Sequence, residues 1–174
     1  PHSSTFFSLS LFNRLGRYRS HFKRSQDYDL WLRSISFGYR FICIDEPLVS
    51  IRKHKDQLSL TDSGFQTLIY STCALSCFYI RSKNCIDPAD KYTIDVFNYQ
   101  VRNVVEDSLG SYRSLINIDF HSFSNLIKFR LKLFSVIISP VQFIFTKILH
   151  KFIQARCLNI SKRLANIYIY KYKH

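Results

Sequence analysis

Over the first 60 positions of the chain, segments with the apolar spacing of strands alternate with segments that have the apolar spacing of helices. The segment "STFFSLSLFNRLG" predicts a short apolar strand that leads into a helix, with Ser8 or Ser10 as its N-cap and Gly16 at its end. A second helix is predicted after the cap residue Ser25, and Gly38 lies just past its end. Its apolar positions recur at helical spacing, at Tyr28, Trp31, Leu32 and Ile35.

Two further strands are predicted downstream of this helix. They are "YRFICID" and "LVSIRKH", on either side of the dipeptide "EP". Strands that alternate with helices are typical of an α/β layer, so we expect an α/β fold over residues 1–61.

From residue 62 onward the apolar spacing is helical. One helix is predicted in "DSGFQTLIYSTCALSCFYIRS" with Asp62 or Ser63 as its cap, and another in "DPADKYTIDVFNYQVRNVVEDSL" with Pro88 in its first turn. A third, strongly apolar helix is predicted over residues 125–154, where Pro140 is expected to cause a kink. We therefore expect a helical extension at 62–120 and a basic helical tail at 121–174.

Net charge separates this tail from the rest of the chain. The formal charge is +13, and ten cations but no acidic residues follow Asp119. The charge-free run Leu133–Thr146 has 14 residues, whereas a membrane-spanning helix needs about 20. A basic amphipathic helix lying on an anionic membrane surface fits this pattern. The alternative is a helix packed on the domain with its basic face in solvent.

The five cysteines do not form a disulfide or zinc pattern. Cys73 and Cys77 would share one helix face, but no neighbouring histidine or second cysteine pair completes a metal site. Buried, reduced thiols in a cytoplasmic protein are therefore expected.

Two carboxylates, Asp27 and Asp29, stand at the start of the second helix. Acidic residues in a first helical turn commonly offset the helix dipole, which is a structural role. A carboxylate kept ionised there can also accept a proton from an alcohol whose oxygen is attacking an electrophile. Spacing alone leaves both interpretations open.

The first 60 residues resemble the acceptor-side half of a family 2 glycosyltransferase of the GT-A fold. The resemblance lies in an ordered series of motifs, which are "HSSTFF", "LGRYR", "SQDYDLWLRSISFGYRF" and "IDEPLVSIRKHKDQLS". It implies a partial GT-A, Rossmann-like half-domain followed by an α-helical C-terminal region. It also implies inverting, hexosyltransferase-like transfer from a nucleotide-sugar to a saccharide or lipid-linked acceptor in cell-surface polysaccharide synthesis.

The same resemblance implies roles for individual residues. Asp27 matches the catalytic base, and Asp29 matches a residue that orients the helix or the acceptor. His2 and Ser3 match a strand beside the acceptor pocket. Trp31 and Arg33 are expected to be structural, Trp31 as a core residue and Arg33 in an ion pair. Arg52 and His54 match a basic element on the diphosphate side. His54 would also be a metal ligand there.

The nucleotide-binding half of such enzymes and its DxD motif are not found in the sequence. We therefore expect a truncated enzyme, a gene remnant or a piece of a longer protein, which alone binds sugar nucleotides poorly or not at all. The full-length enzyme would use Mg²⁺ or Mn²⁺ and lie on the cytoplasmic face of the cell membrane.

Two other classes of function remain as alternatives. The chain could be an inert scaffold or regulatory fragment without a donor site. A pI near 9.7 and the tyrosine-rich "NIYIYKYKH" are compatible with a nucleic-acid binder, but no nucleic-acid-binding motif is present, and we expect no nucleic-acid partner.

Overall fold

A computed structural model of the protein describes residues 4–50, 64–112 and 135–173, and in these ranges the chain forms helices and no strand. A π-helical turn spans Asn98–Arg102, and a 3₁₀ turn spans Gly110–Tyr112. The helices are α1 (Leu9–Arg14), α2 (Gln26–Ser36), α3 (Gly64–Ser82), α4 (Pro88–Lys91), α5 (Ile94–Phe97), α6 (Asn103–Leu109) and α7 (Ser135–Lys173).

The expectation of an α/β fold, and with it of a partial GT-A half-domain, is wrong for the described residues. Residues 5–8 and 39–45 are irregular instead of forming strands, and so is the described part of "LVSIRKH", residues 48–50. A strand is stable only when a neighbouring strand takes up its backbone hydrogen bonds. No such neighbour exists in the ranges above, and side chains such as Ile42, 91% exposed, are left on the surface.

The predicted end signals of α1 are confirmed. Ser8 is the N-cap, and its Oγ accepts a hydrogen bond from the backbone N–H of Leu11 at 3.2 Å. Gly16 follows the helix with φ +77°, a left-handed conformation that costs glycine little.

Helix α2 begins and ends where the sequence predicts, but its buried face is different. Ser25 occupies the N-cap position in a left-handed conformation and makes no capping bond, and Gly38 follows the helix with φ +81°. Of the predicted apolar stripe, Leu32 is buried but Ile35 is 47% exposed. The residues that α2 buries are Asp29, Leu30, Leu32, Arg33 and Ser34.

Helix α3 and the helices after it confirm the helical prediction over residues 64–112 and 135–173, with one interruption. The predicted caps Asp62 and Ser63 lie outside the described residues. Asp87 caps α4 by accepting from the N–H of Ala89 at 2.9 Å, and Pro88 occupies the first turn as predicted. The helical run then breaks at Tyr92, which has extended backbone angles, before α5 begins.

One hydrophobic core joins the three described ranges. Helix α3 contributes more of its residues than any other helix, while α7 and the segment from α5 to α6 pack against α3. Phe22 and Phe97 have no exposed surface and meet edge to face at 5.5 Å between ring centroids. Cys73, Cys77 and Cys157 are buried there as free thiols, and burial raises the pKa of each.

Helix α7 continues through Pro140 and extends well beyond the predicted end at residue 154. Among the helices described, none is both long and apolar enough to cross a bilayer. The predicted boundaries 61/62 and 120/121 lie outside the described residues. Nevertheless, the three described ranges, which these boundaries would separate, contribute to the same hydrophobic core.

Candidate functional site

The two carboxylates at the start of α2 lie in different environments. Asp27 is half-buried, and its Oδ1 accepts from the backbone N–H of Tyr28 at 2.8 Å. Burial and, after it, the negative charge of Asp27 raise the pKa of the Tyr18 phenol. Tyr18 belongs to the turn after α1, so this turn and the first turn of α2 face each other.

Asp29 has no exposed surface and is held between two arginines. Its Oδ2 accepts from Nε of Arg19 at 3.1 Å and from Nε of Arg33 at 3.0 Å, and its Oδ1 forms a second ion-pair contact with Arg19. A buried carboxylate of this kind acts on a ligand only through the groups that it positions. The predicted ion pair of Arg33 is thereby confirmed.

Arg33 connects this carboxylate to the turn that carries Tyr18. Its Nη1 donates to the carbonyl of Leu15, and its Nη2 donates to the carbonyl of Arg17 at 2.6 Å. Arg17 has a left-handed φ of +60°. Residues other than glycine rarely adopt this backbone conformation, and surrounding contacts must hold it. Asp29 therefore fixes the turn opposite Asp27 by holding Arg33.

Arg19 extends the ion network from α2 to α4. Its Nη1 lies 2.9 Å from Oδ2 of Asp87 and 2.9 Å from Oδ1 of Asp90. Burial acts to lower the pKa of Arg19, but the hydrogen bond to Asp29 and the charge of Asp87 outweigh it, and the pKa is raised. Arg81 from the end of α3 also pairs with Asp87.

Sequence reasoning did not find this network because its members are far apart along the chain. The partners of Arg19 stand 10, 68 and 71 positions away from it. The only local signal is the position of Asp87 directly before Pro88, which marks a helix cap and not an ion pair.

The network makes the stability of the fold sensitive to acid. Burial acts to raise the pKa of Asp87, but the charges of Arg19 and Arg81 outweigh it, and the pKa lies below its ordinary value of 3.8. The stabilisation of the fold by the ion pairs of Asp87 is therefore complete above about pH 4 and is lost as the pH falls further. We expect the free energy of unfolding, measured by urea denaturation between pH 6 and pH 3, to fall more steeply for the wild type than for Asp87→Asn.

The control for this measurement is Asp95→Asn, because Asp95 is an exposed first-turn residue of α5. It should follow the wild-type pH dependence. Equal pH dependence of the wild type and Asp87→Asn would contradict the assignment of the acid effect to Asp87.

An open groove of about 860 Å³ runs beside α2. Its helical wall consists of Leu30, Trp31 and Ser34, which share one face of α2 with Asp27 because they follow it by three, four and seven residues. Asp27 is not one of the groove-lining residues but precedes them on this face, about 6 Å along the helix from Trp31. The opposite walls are formed by Ser4–Phe7, Leu11, residues 39–44 and residues 46–49.

Trp31 was interpreted as a core residue, but it lines this groove and is only partly buried. The other predicted site residues, His2, Ser3, Arg52 and His54, lie outside the described residues. The residues that are described contain no cluster of three or more His, Cys, Asp or Glu side chains that could hold a metal ion.

Comparison with known proteins gives no relative from which a role could be transferred. No family model matches the chain, no curated protein matches it, and no solved structure matches it. A functional assignment must therefore start from the motif series in the first 60 residues and from the geometry around α2.

Proposed function

We propose that the chain carries the acceptor-side part of an inverting glycosyltransferase and that Asp27 is its general base. The observation that carries this proposal is the contrast between the two carboxylates of α2. Asp29 is fully buried in ion pairs, while Asp27 is half-buried on the face of α2 that lines the groove one turn further along, without lining the groove itself. Sugar transfer needs one carboxylate that an acceptor can reach, in a setting that other groups hold in place.

In the proposed step one proton is transferred, one glycosidic bond forms, and the bond between the donor sugar and its phosphate breaks. The acceptor hydroxyl gives its proton to the Asp27 carboxylate while its oxygen attacks the anomeric carbon of the donor sugar. The bond from that carbon to the phosphate oxygen breaks on the opposite face, and the nucleoside diphosphate leaves with the electron pair. The new glycosidic bond therefore has inverted configuration.

Residues around Asp27 would orient the reactants. The groove, lined by aromatic and aliphatic side chains such as Trp31, suits the apolar part of a lipid-linked acceptor. The resemblance assigns His2 and Ser3 to the same acceptor side. It assigns Arg52 and His54 to the diphosphate, where guanidinium and imidazole groups would stabilise the charge that develops on the leaving group.

The test is donor turnover by the purified 174-residue chain, measured as nucleoside diphosphate release. UDP-glucose, UDP-N-acetylglucosamine and GDP-mannose at millimolar concentration serve as probes, with and without saccharide acceptors. Because the chain alone is expected to bind donors poorly, we expect only slow release at these concentrations, and we expect Asp27→Asn to lower it by about 10²- to 10⁴-fold, since a positioned general base contributes about that factor. Circular dichroism should show unchanged helix content in the variant.

Asp107→Asn is the matched control, since Asp107 is an exposed aspartate on α6, and it should release product at the wild-type rate. Near-normal turnover in Asp27→Asn would refute the base assignment. Absence of turnover by the wild type with every probe, together with no heat of binding in calorimetric titration, would favour the inert scaffold.

A further inference from the structure

Helix α7 is attached to the core along one stripe of its surface. Cys157, Ile160 and Ala165 are buried, and Ser161 has no exposed surface. The hydroxyl of Ser161 donates to the carbonyl of Thr72 on α3 at 3.1 Å. These positions define the inward face of α7, so the direction of the opposite face follows from helical periodicity.

The outward face carries exposed apolar side chains. Ile148 is 60% exposed, and Phe152, one turn further, is 52% exposed. At about 100° per residue, these two and Ala155 lie within about 60° of one another and roughly opposite Cys157. Ile148, Phe152 and Ala155 therefore form a short apolar strip, and the exposed polar side chain of Asn159 lies on the same face beyond it.

Cations stand on both sides of this strip. In the same helical projection, Lys147 and Lys151 fall on one side of the strip, and Arg156 and Arg163 fall on the other. Lys162 falls on the first side too, but its ammonium lies over the ring of Tyr79 on α3, 5.8 Å from the ring centroid. All five are exposed, and α7 contains no aspartate or glutamate.

An apolar strip between two basic rows is the surface of a helix that lies in a membrane interface. The apolar side chains enter the boundary between headgroups and acyl chains, and lysine and arginine extend their charged ends back to the phosphates. A nucleic acid would also attract the cations, but it offers no apolar phase for Ile148 and Phe152. Anionic lipid is complementary to both parts of the surface at once.

We infer that the outward face of α7, from Lys147 to Arg163, docks the protein on an anionic membrane surface without crossing it. Ile148 and Phe152 insert into the interface, while Lys147, Lys151, Arg156 and Arg163 bind lipid phosphates. Because α7 packs on α3, docking this face also fixes how the core is oriented on the membrane. The inference does not depend on sugar transfer.

Vesicle flotation tests the docking face directly. The full chain should float with vesicles of phosphatidylcholine that contain phosphatidylglycerol, and poorly with phosphatidylcholine alone. Lys147→Gln/Lys151→Gln should weaken binding to anionic vesicles by roughly 25-fold, since each cation near the surface contributes about fivefold. Ile148→Ser/Phe152→Ser should weaken it by at least about tenfold.

The matched control is Lys83→Gln/Ile86→Ser, which removes an exposed cation and an exposed apolar side chain outside α7. It should bind like the wild type, and so should Asp27→Asn, which separates docking from the proposed catalysis. Equal losses in the control and the α7 variants would overturn the inference, as would equal binding to neutral and anionic vesicles. Binding of the wild type to a salt-matched oligonucleotide but not to vesicles would overturn it as well.

Fluorescence gives an independent measurement of insertion. Trp31 is the only tryptophan, so Trp31→Phe/Phe152→Trp places a single reporter in the apolar strip. Its emission should shift to shorter wavelength when anionic vesicles are added. An unchanged spectrum on vesicles that carry the bound protein would contradict insertion of this face.

Discussion

Asp29→Asn is expected to lower the free energy of unfolding by about 3–5 kcal/mol, one of the two largest losses that we predict. The asparagine keeps the shape of the side chain but removes its charge. Arg19 and Arg33 then face each other across a buried site that has lost the carboxylate between them. Burial already lowers the pKa of Arg33, as does the neighbouring charge of Arg19, so the site holds two like charges at a cost.

Asp27→Asn is the matched comparison, because it is the same change two residues earlier in the same helical turn. Its expected cost is only about 0.3–1 kcal/mol, from weaker compensation of the helix dipole. Urea denaturation of both variants at pH 7 measures the difference. Equal stability of the two variants would show that the Asp29 ion pairs do not stabilise the fold.

Asp29 is also expected to position Tyr18 opposite Asp27, since it holds Arg33, which holds the turn. If donor turnover is measurable, Asp29→Asn should reduce it at temperatures where the variant is folded. An Asp29→Glu variant, which restores the charge, should recover part of both stability and turnover. Full turnover in folded Asp29→Asn would contradict the positioning role.

Phe97→Ala is expected to destabilise the protein by about 3–5 kcal/mol, because it leaves a cavity at the centre of the core. The Phe97 ring has no exposed surface and contacts Phe22 and His21 edge to face, with ring centroids 5.5 Å and 5.3 Å away. Thermal or urea unfolding followed by circular dichroism measures the loss.

Tyr99→Ala is the control for this substitution, because Tyr99 lies two residues away and is 73% exposed. It should change stability by less than about 0.5 kcal/mol. Phe97→Leu, which fills more of the space, should cost less than Phe97→Ala. A ranking in which Tyr99→Ala is as harmful as Phe97→Ala would contradict the described core.

The described helices could be predicted from the sequence, whereas the absence of the predicted strands from the described residues could not. Ser8, Gly16 and Gly38 mark helix ends through hydrogen bonds and backbone angles that involve only near neighbours. A strand depends on a second strand that is distant along the chain. Residues 39–45 have the composition of a strand, yet in the described fold no neighbour offers them a ladder of hydrogen bonds.

The candidate site shows the same division between local and distant information. The sequence singled out Asp27 and Asp29 as candidate site carboxylates, and it predicted an ion pair for Arg33. It did not distinguish their environments, because burial of Asp29 depends on Arg19, and Arg19 in turn contacts Asp87 and Asp90. Only contacts across the folded chain bring these groups together.

The sequence by itself determined most described helices, their end signals and the concentration of positive charge in the last third of the chain. These features follow from propensity, capping and composition, which act over a few residues. The tertiary structure alone decided that residues 39–45 form no strand, that Asp29 is buried while Asp27 is not, and which face of α7 points outward. Each of these depends on which surfaces meet when the chain packs, and apolar burial and ion pairing between distant residues govern that choice.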